Sequence, residues 1–294
     1  SSAVLACMVF FGMAEPWILE YLGDDARGVV NFHMAFNIGL AIVFLPLAYQ
    51  VTMLAGNLIP DKADPDDPAQ PKYLDTKALD TPSIALSGAM RETLRLADMA
   101  ERMLEESLQA FKSGDERYVR MIRDQDDALD TLYHRVKIYM ARVSEEFMDQ
   151  KEAARFVHIL TFATNLEHVG DVIDKNLMPL ASKKIRNAQN FSDEGFREIE
   201  RIHGMVIGNL RLAQSVLVSN DVDLAHQMLS EKEKIREAET GAATAHFERL
   251  REGVPESVAT SELHMDIIRD LRRINSYICT VAYPVIEHYE EKQR

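Results

Sequence analysis

Between Gly28 and Pro60 the chain carries no Asp, Glu, Lys or Arg, and this gap in the charge pattern constrains the fold more than any motif does. The run AFNIGLAIVFLPLAYQVTMLAG within it has the ~20 predominantly apolar residues that a helix needs to cross a bilayer. The sequence therefore predicts a transmembrane helix there, with Pro46 kinking rather than breaking it. The stretch before it, SSAVLACMVFFGMA followed by EPWILEYL, reads as a second spanning or re-entrant helix with Trp17 and Tyr21 at the interface. It opens on Ser without a basic region ahead of a cleavage site, so a secretory signal fits poorly. A fragment of a longer membrane protein fits better.

The remainder belongs to a different solvent. The first 60 residues carry a net charge of −3, so most of the chain's −14 lies beyond them. A surplus of acids repels phosphate backbones and argues against nucleic acid as a partner. Two cysteines, Cys7 and Cys279, build neither a disulfide framework nor a Cys-rich zinc site, which suits a reducing compartment. From Pro60 to Pro71 four prolines alternate with four aspartates, a composition that stays extended and solvated and marks a linker.

Beyond the linker every long segment has helical periodicity. Thr81-Pro82 opens a first helix, with Ile84, Leu94, Met99, Met103, Leu104 and Phe111 as its apolar face, and Ser113-Gly114-Asp115 ends it. A second runs through ERYVRMIRDQDDALDTLYHRVKIYMARVS, with Met121, Leu129, Leu132, Val136 and Tyr139 or Met140 inward. Asp149 opens a third, to about Lys184. Ser192 caps a fourth, a fifth covers roughly 222–251, and Pro255 begins a sixth that reaches the C-terminus. Leu166, Val169 and Pro179 in the third align with Leu271, Ile274 and Pro284 in the sixth at an offset of about 105, the mark of a duplicated three-helix unit.

The expected fold is all-α, with one or two transmembrane helices followed by tandem three-helix bundles. Residues 1–60 form the membrane remnant, 61–81 the Pro/Asp-rich linker, and 82–187 and 188–294 the two bundles.

Carboxylates supply the chemistry. Residues four apart on a helix project side by side, so Glu167 and Asp171 align, and Asp174 extends the stripe. Leu166, Val169, Gly170 and Ile173 around them are apolar or small, which places the stripe at the edge of the core. Asp126 and Asp130 repeat the device on the second helix, with His134 four further on. Hard oxygen ligands on two helices suit Mg²⁺, Mn²⁺, Ca²⁺ or iron. A carboxylate-bridged metal enzyme is the alternative this raises. Such sites use two Glu-x-x-His motifs, and one candidate, Glu200 with His203, is present. Gly204 and Gly208 suggest a close helix contact within the bundle. No nucleophile elbow, Walker loop or dinucleotide glycine run is present, so the chain does not read as an enzyme.

The run LEHVGDVIDKN, preceded on the previous helix by DDALD, resembles the PhoU domain, whose carboxylate motifs lie on neighbouring helices of tandem three-helix bundles. LRRINSYICTVAYPVIE resembles the second copy in bacterial sodium/phosphate cotransporters, where a PhoU-like domain follows the membrane domain. NFHMAFNIGLAIVFLPL is similar to their last membrane segment and YLDTKALDTPSIAL to the start of their PhoU-like part.

The resemblance implies a regulatory tail in phosphate transport and homeostasis, inner-membrane anchored with the bundles cytoplasmic. It implies metal ligation by Asp126, Asp130, Glu167 and Asp171, with Asp174 an addition. In the second bundle Arg272 and Ser276 replace the counterparts of Glu167 and Asp171, so at most one centre, for a divalent metal or iron, is expected, in the first bundle. The implied partners are the rest of the membrane domain, the lipid bilayer, sodium and phosphate in the parent, a regulatory protein and a second copy. The family's Gln-Ser-Ser-Ser motifs are not intact in this sequence, so it is not expected to transport phosphate alone.

Overall fold

The structure is a computed structural model and describes residues 30, 33–34, 37–42, 67–143 and 147–293. Two compact units emerge, Ser1–Asp64 and Pro65–Arg294. In the first, residues 37–42 are helical, with Ile38, Leu40 and Ile42 exposed. The rest of the predicted span over 35–56, and all of the stretch 1–21, lie outside the described residues. Among the described residues no helix is long and apolar enough to cross a membrane.

Among the described residues every regular element of the second unit is helical. Its elements are α1 (Pro82–Ser113), α2 (Glu116–Val143), α3 (Gln150–Val172), a π turn (Ile173–Leu177), α4 (Met178–Arg186), α5 (Asp193–Ser219), α6 (Val222–Arg251), α7 (Pro255–Ala259), α8 (Ser261–Ile278), a 3₁₀ turn (Cys279–Val281) and α9 (Ala282–Gln293).

Local chemistry sets the boundaries. Pro82 sits in the first turn of α1, where its missing N–H has no intrahelical partner to lose. Gly114 ends α1 in the left-handed conformation at φ 68°, and Asn220 ends α5 at φ 50°. Asp149 and Glu152 form a reciprocal capping box at the start of α3.

Two segments expected as single helices are interrupted. The third helix passes through the π turn before α4, and the sixth is divided into α7, α8, the 3₁₀ turn and α9. Pro179 and Pro284 account for the matched interruptions. A proline ring clashes with the carbonyl four residues earlier, here Lys175 and Thr280, and both fall inside the irregular turns.

Helix α1 packs on α2 and α3, α5 packs on α6 and α8, and the halves meet where α3 meets α8 and α1 meets α5. The core is continuous across that seam. Each fully buried Leu or Ile within it, such as Leu96, Leu129, Leu166 or Ile274, contributes ~1.5–3 kcal/mol, well above the ~0–1 kcal/mol of a surface ion pair. The inward face of α1 begins with Ala85, Leu86 and Ala89, all fully buried, so Ile84 is turned out and 60% exposed. Met121 is also largely on the surface. Counting only large side chains obscured the small residues that take the close positions. Gly204 and Gly208 are exposed and nothing lies within 4 Å of a Cβ built on either, so they make no close helix contact.

Polar bonds fix the seam. His203 Nε2 lies 2.7 Å from the Leu104 carbonyl oxygen, and His158 Nε2 lies 2.9 Å from that of Val281. Both rings are buried, and burial pushes their pKa values down. Asn165 Nδ2 donates to Thr280 Oγ1 over 2.7 Å.

From Asp67 onward the segment leading into α1 is held against the bundle. Glu92, fully buried, accepts the backbone N–H groups of Lys72 and Tyr73 and pairs with Arg95 at 2.6 Å. Arg95 also donates to the carbonyls of Gln70 and Pro68, and Tyr139 donates to that of Asp75.

Candidate metal centre

Helix α2 presents Asp126 and Asp130 one turn apart, and α3 presents Asp171 opposite them. One carboxylate oxygen from each lies within 4.8 Å of the other two. Asp126 is 4% exposed, and Asp130 and Asp171 are half-buried. The close approach of α3 depends on Gly170. A Cβ there would stand 2.7 Å from Asp126 Oδ1 and about 3.5 Å from the Leu129 side chain.

The electrostatics are those of a site short of positive charge. Burial, then the charges of Asp130, Asp174 and Asp171, push the Asp126 carboxyl up to about 7. Asp130 is raised by burial and then by Asp171. The buried Oδ1 atoms of Asp126, Asp130 and Asp174 accept no hydrogen bond. An unpartnered buried carboxylate oxygen is costly, and a hard cation satisfies several at once.

The remaining predicted ligands flank the trio. Glu167 is bound by His168 Nδ1 at 2.8 Å and lies outside the group of three; burial raises its pKa. Asp174 sits in the π turn, with Arg123 Nε 3.9 Å from its Oδ1. His134 is exposed and lies outside the group as well. His203, the candidate partner of Glu200, is engaged by Leu104 instead, and Glu200 pairs with Lys112.

Lys175 was missed by sequence reasoning. It pairs with Asp171 one turn away and partly compensates the acids. The four-residue spacing that groups carboxylates also joins this lysine to them, and that was the available signal. The donor set fits a divalent cation or iron: Asp126, Asp130 and Asp171 would hold it, with Glu167 and Asp174 at the margin. Bound there, the ion would supply charge neutralisation between α2 and α3.

Two three-helix bundles in tandem, with carboxylates gathered on facing helices of the first, define a PhoU-like helical fold. The chain belongs to the PhoU domain family, whose profile matches residues 93–176 and 199–285. It is 33% identical over 268 residues to YjbB of Escherichia coli strain K12, a protein named for inorganic phosphate export; the match covers 91% of this chain and 49% of that one. The chain thus spans about half the length of the curated relatives it matches there. A PhoU homologue of Thermotoga maritima, named as an accessory protein of a phosphate-specific transport system, is 23% identical over 64% of this chain and 80% of its own. The crystal structure of PhoU from Pseudomonas aeruginosa shares the fold with a TM-score of 0.62 and 18% identity, over 68% of this chain and 95% of that one.

Proposed function

We propose that this chain is the regulatory PhoU-like part of a sodium-dependent phosphate transporter, with residues 1–60 forming the end of its membrane domain. The observation that carries the reading is the extent of the similarity to YjbB. Its 268 residues exceed the helical unit of residues 65–294, so the match reaches upstream of the bundle toward the uncharged run.

On this reading residues 61–81 link the membrane to two bundles, 82–187 and 188–294, which face the cytoplasm from the inner membrane. The remaining membrane segments supply the sodium and phosphate sites, the bilayer holds residues 1–60, and a regulatory protein or a second copy docks on the bundles. A divalent metal or iron at Asp126, Asp130 and Asp171 ties α2 to α3 and sets the stiffness of the first bundle. The chain's own part is to relay phosphate status, with no catalytic step.

Reconstitution of the full-length parent in vesicles, with and without residues 67–294, tests this. Loss of the bundles is expected to change phosphate flux and abolish its response to phosphate on the bundle side. Identical flux and response would overturn the reading.

A further inference from the structure

The two halves can be registered from their own helix caps. Asp115 and Asp221 each follow a left-handed residue, Gly114 or Asn220, and each accepts the backbone N–H two residues on, at 2.9 and 2.8 Å. Eleven residues beyond the caps stand Asp126 and Lys232, and fifteen beyond stand Asp130 and Arg236. On α3 and α8, the alignment of Pro179 with Pro284 sets Glu167 against Arg272 and Asp171 against Ser276. Three of four acids in the first half are therefore cations in the second, and the fourth is a hydroxyl.

All four replacements line one cavity of about 550 Å³ between α6, α8 and the π turn. Arg269 and Arg273 join them, so five basic side chains face it against two acidic ones, Glu233 and Asp270. Three of the cations have carboxylate partners: Arg236 with Glu233 at 2.8 Å, Arg269 with Asp266 at 2.8 Å and Arg272 with Glu239 at 3.4 Å. Lys232 and Arg273 form no ion pair among the described residues, although Glu233 acts on Lys232, and Asp270 and Asp171 on Arg273, through longer-range charge. Each meets a phenol, Lys232 Nζ at 3.0 Å from Tyr283 Oη and Arg273 Nη2 at 3.4 Å from Tyr277 Oη, which neutralises no charge. Asp270, 3% exposed, is bonded by Asn176, and burial raises its pKa.

Like charges gathered in a partly enclosed space repel one another. A chain of net charge −14 had acids enough to pair every one of these cations. Guanidinium forks match phosphate oxygens in pairs, and several forks around one space suit an anion with several charged groups. Small-molecule sites run from about 300 to 1,000 Å³, so this cavity exceeds the needs of a single tetrahedral ion. We propose that the second half has converted its carboxylate site into an anion site, formed by Lys232, Arg236, Arg272 and Arg273, for a phosphate chain such as pyrophosphate or the phosphates of a nucleotide. The site is read from this cavity alone and stands whether or not the chain regulates a transporter.

Calorimetric titration of the full chain in detergent with pyrophosphate, ATP and orthophosphate, with sulfate at matched ionic strength as reference, tests it. Saturable binding of pyrophosphate or ATP is expected, at least tenfold tighter than sulfate and weakened tenfold or more in Arg236→Ala and Arg272→Ala. Both arginines are exposed on their helices, and an unchanged thermal transition confirms that each variant is folded. Arg272→Lys keeps the charge without the fork and should fall between wild type and Arg272→Ala. Equal affinity for pyrophosphate and ATP identifies the phosphate chain as the whole ligand, and tighter ATP adds the nucleoside. Absence of saturable binding by both longer probes, binding matched by sulfate, or binding indifferent to both alanine variants would overturn the proposal.

Discussion

Gly170 faces Asp126 across the α2–α3 contact with no room for a methyl group, since a Cβ would lie 2.7 Å from the carboxylate oxygen. The obstructing atom is the end of a rotatable side chain, so a methyl displaces the carboxylate rather than the helix. Overpacking costs about 1–3 kcal/mol, while Gly→Ala within a helix regains about 1 kcal/mol. Gly170→Ala should thus cost about 0–2 kcal/mol of stability yet weaken Mn²⁺ binding at least tenfold. Urea denaturation and equilibrium dialysis measure the two separately; equal losses in both would refute the assignment of Gly170 to the site.

Asp126→Asn removes one negative charge from a cluster that repels itself. In chelator at pH 8 the variant should be more stable than wild type by roughly 1–3 kcal/mol, because the charged buried carboxylate has no hydrogen-bond partner on Oδ1. Added Mn²⁺ should stabilise wild type and leave the variant nearly unmoved. Thermal unfolding with and without metal reads this directly, and a variant less stable in both conditions would show Asp126 to be a purely structural group.

His264 gives the second half an acid sensitivity. Burial, followed by the stacked ring of His246 at 4.7 Å, pushes its pKa down to about 4. Glu198 Oε2, 3.0 Å from Nε2, pulls the other way but is itself committed to Arg249 through two 2.8 Å bonds. Above the unfolded value near 6.5 the ring is neutral in both states and stability does not depend on it. As pH falls from about 6.5 to 4 the unfolded chain takes up the proton first, so stability drops, by about 3 kcal/mol at the lower end. His264→Asn should flatten this slope in urea titrations between pH 7.5 and 4.5.

Glu92 clamps the segment that leads into α1. Glu92→Ala strands the guanidinium of Arg95 and two backbone N–H groups, and breaking one partner out of a buried pair costs about 3–5 kcal/mol. Glu92→Gln keeps an acceptor and should lose less. Limited proteolysis should show cleavage around residues 67–75 in the alanine variant at protease levels that leave wild type intact.

Much of the fold could be read in the chain before any coordinates. Apolar residues at three-to-four spacing, Gly114, Asp149 and Ser192 at the ends, and the shared offset of the two prolines are local signals, and local backbone preference decides them. The interruptions near Pro179 and Pro284 were less legible, because a proline announces a disturbed turn without saying whether a π or a 3₁₀ turn absorbs it. Ile84 and the Gly204–Gly208 pair misled because spacing along one helix does not say where the margin of its buried stripe falls. Which edge is buried depends on the partner helix.

The site divides in the same way. Residue type and spacing placed Asp126, Asp130, Glu167, Asp171 and Asp174 on two helices, since four residues are close to one turn. Tertiary packing alone decided that Asp126, Asp130 and Asp171 converge, whereas the contacts of His168 with Glu167 and of Lys175 with Asp171 are local to one helix turn. It also gathered Lys232, Arg236, Arg272 and Arg273 around one cavity. Periodicity fixes the direction in which a side chain leaves its own helix, whereas distances between helices come from the burial of both partners, and charge clustering follows from those distances.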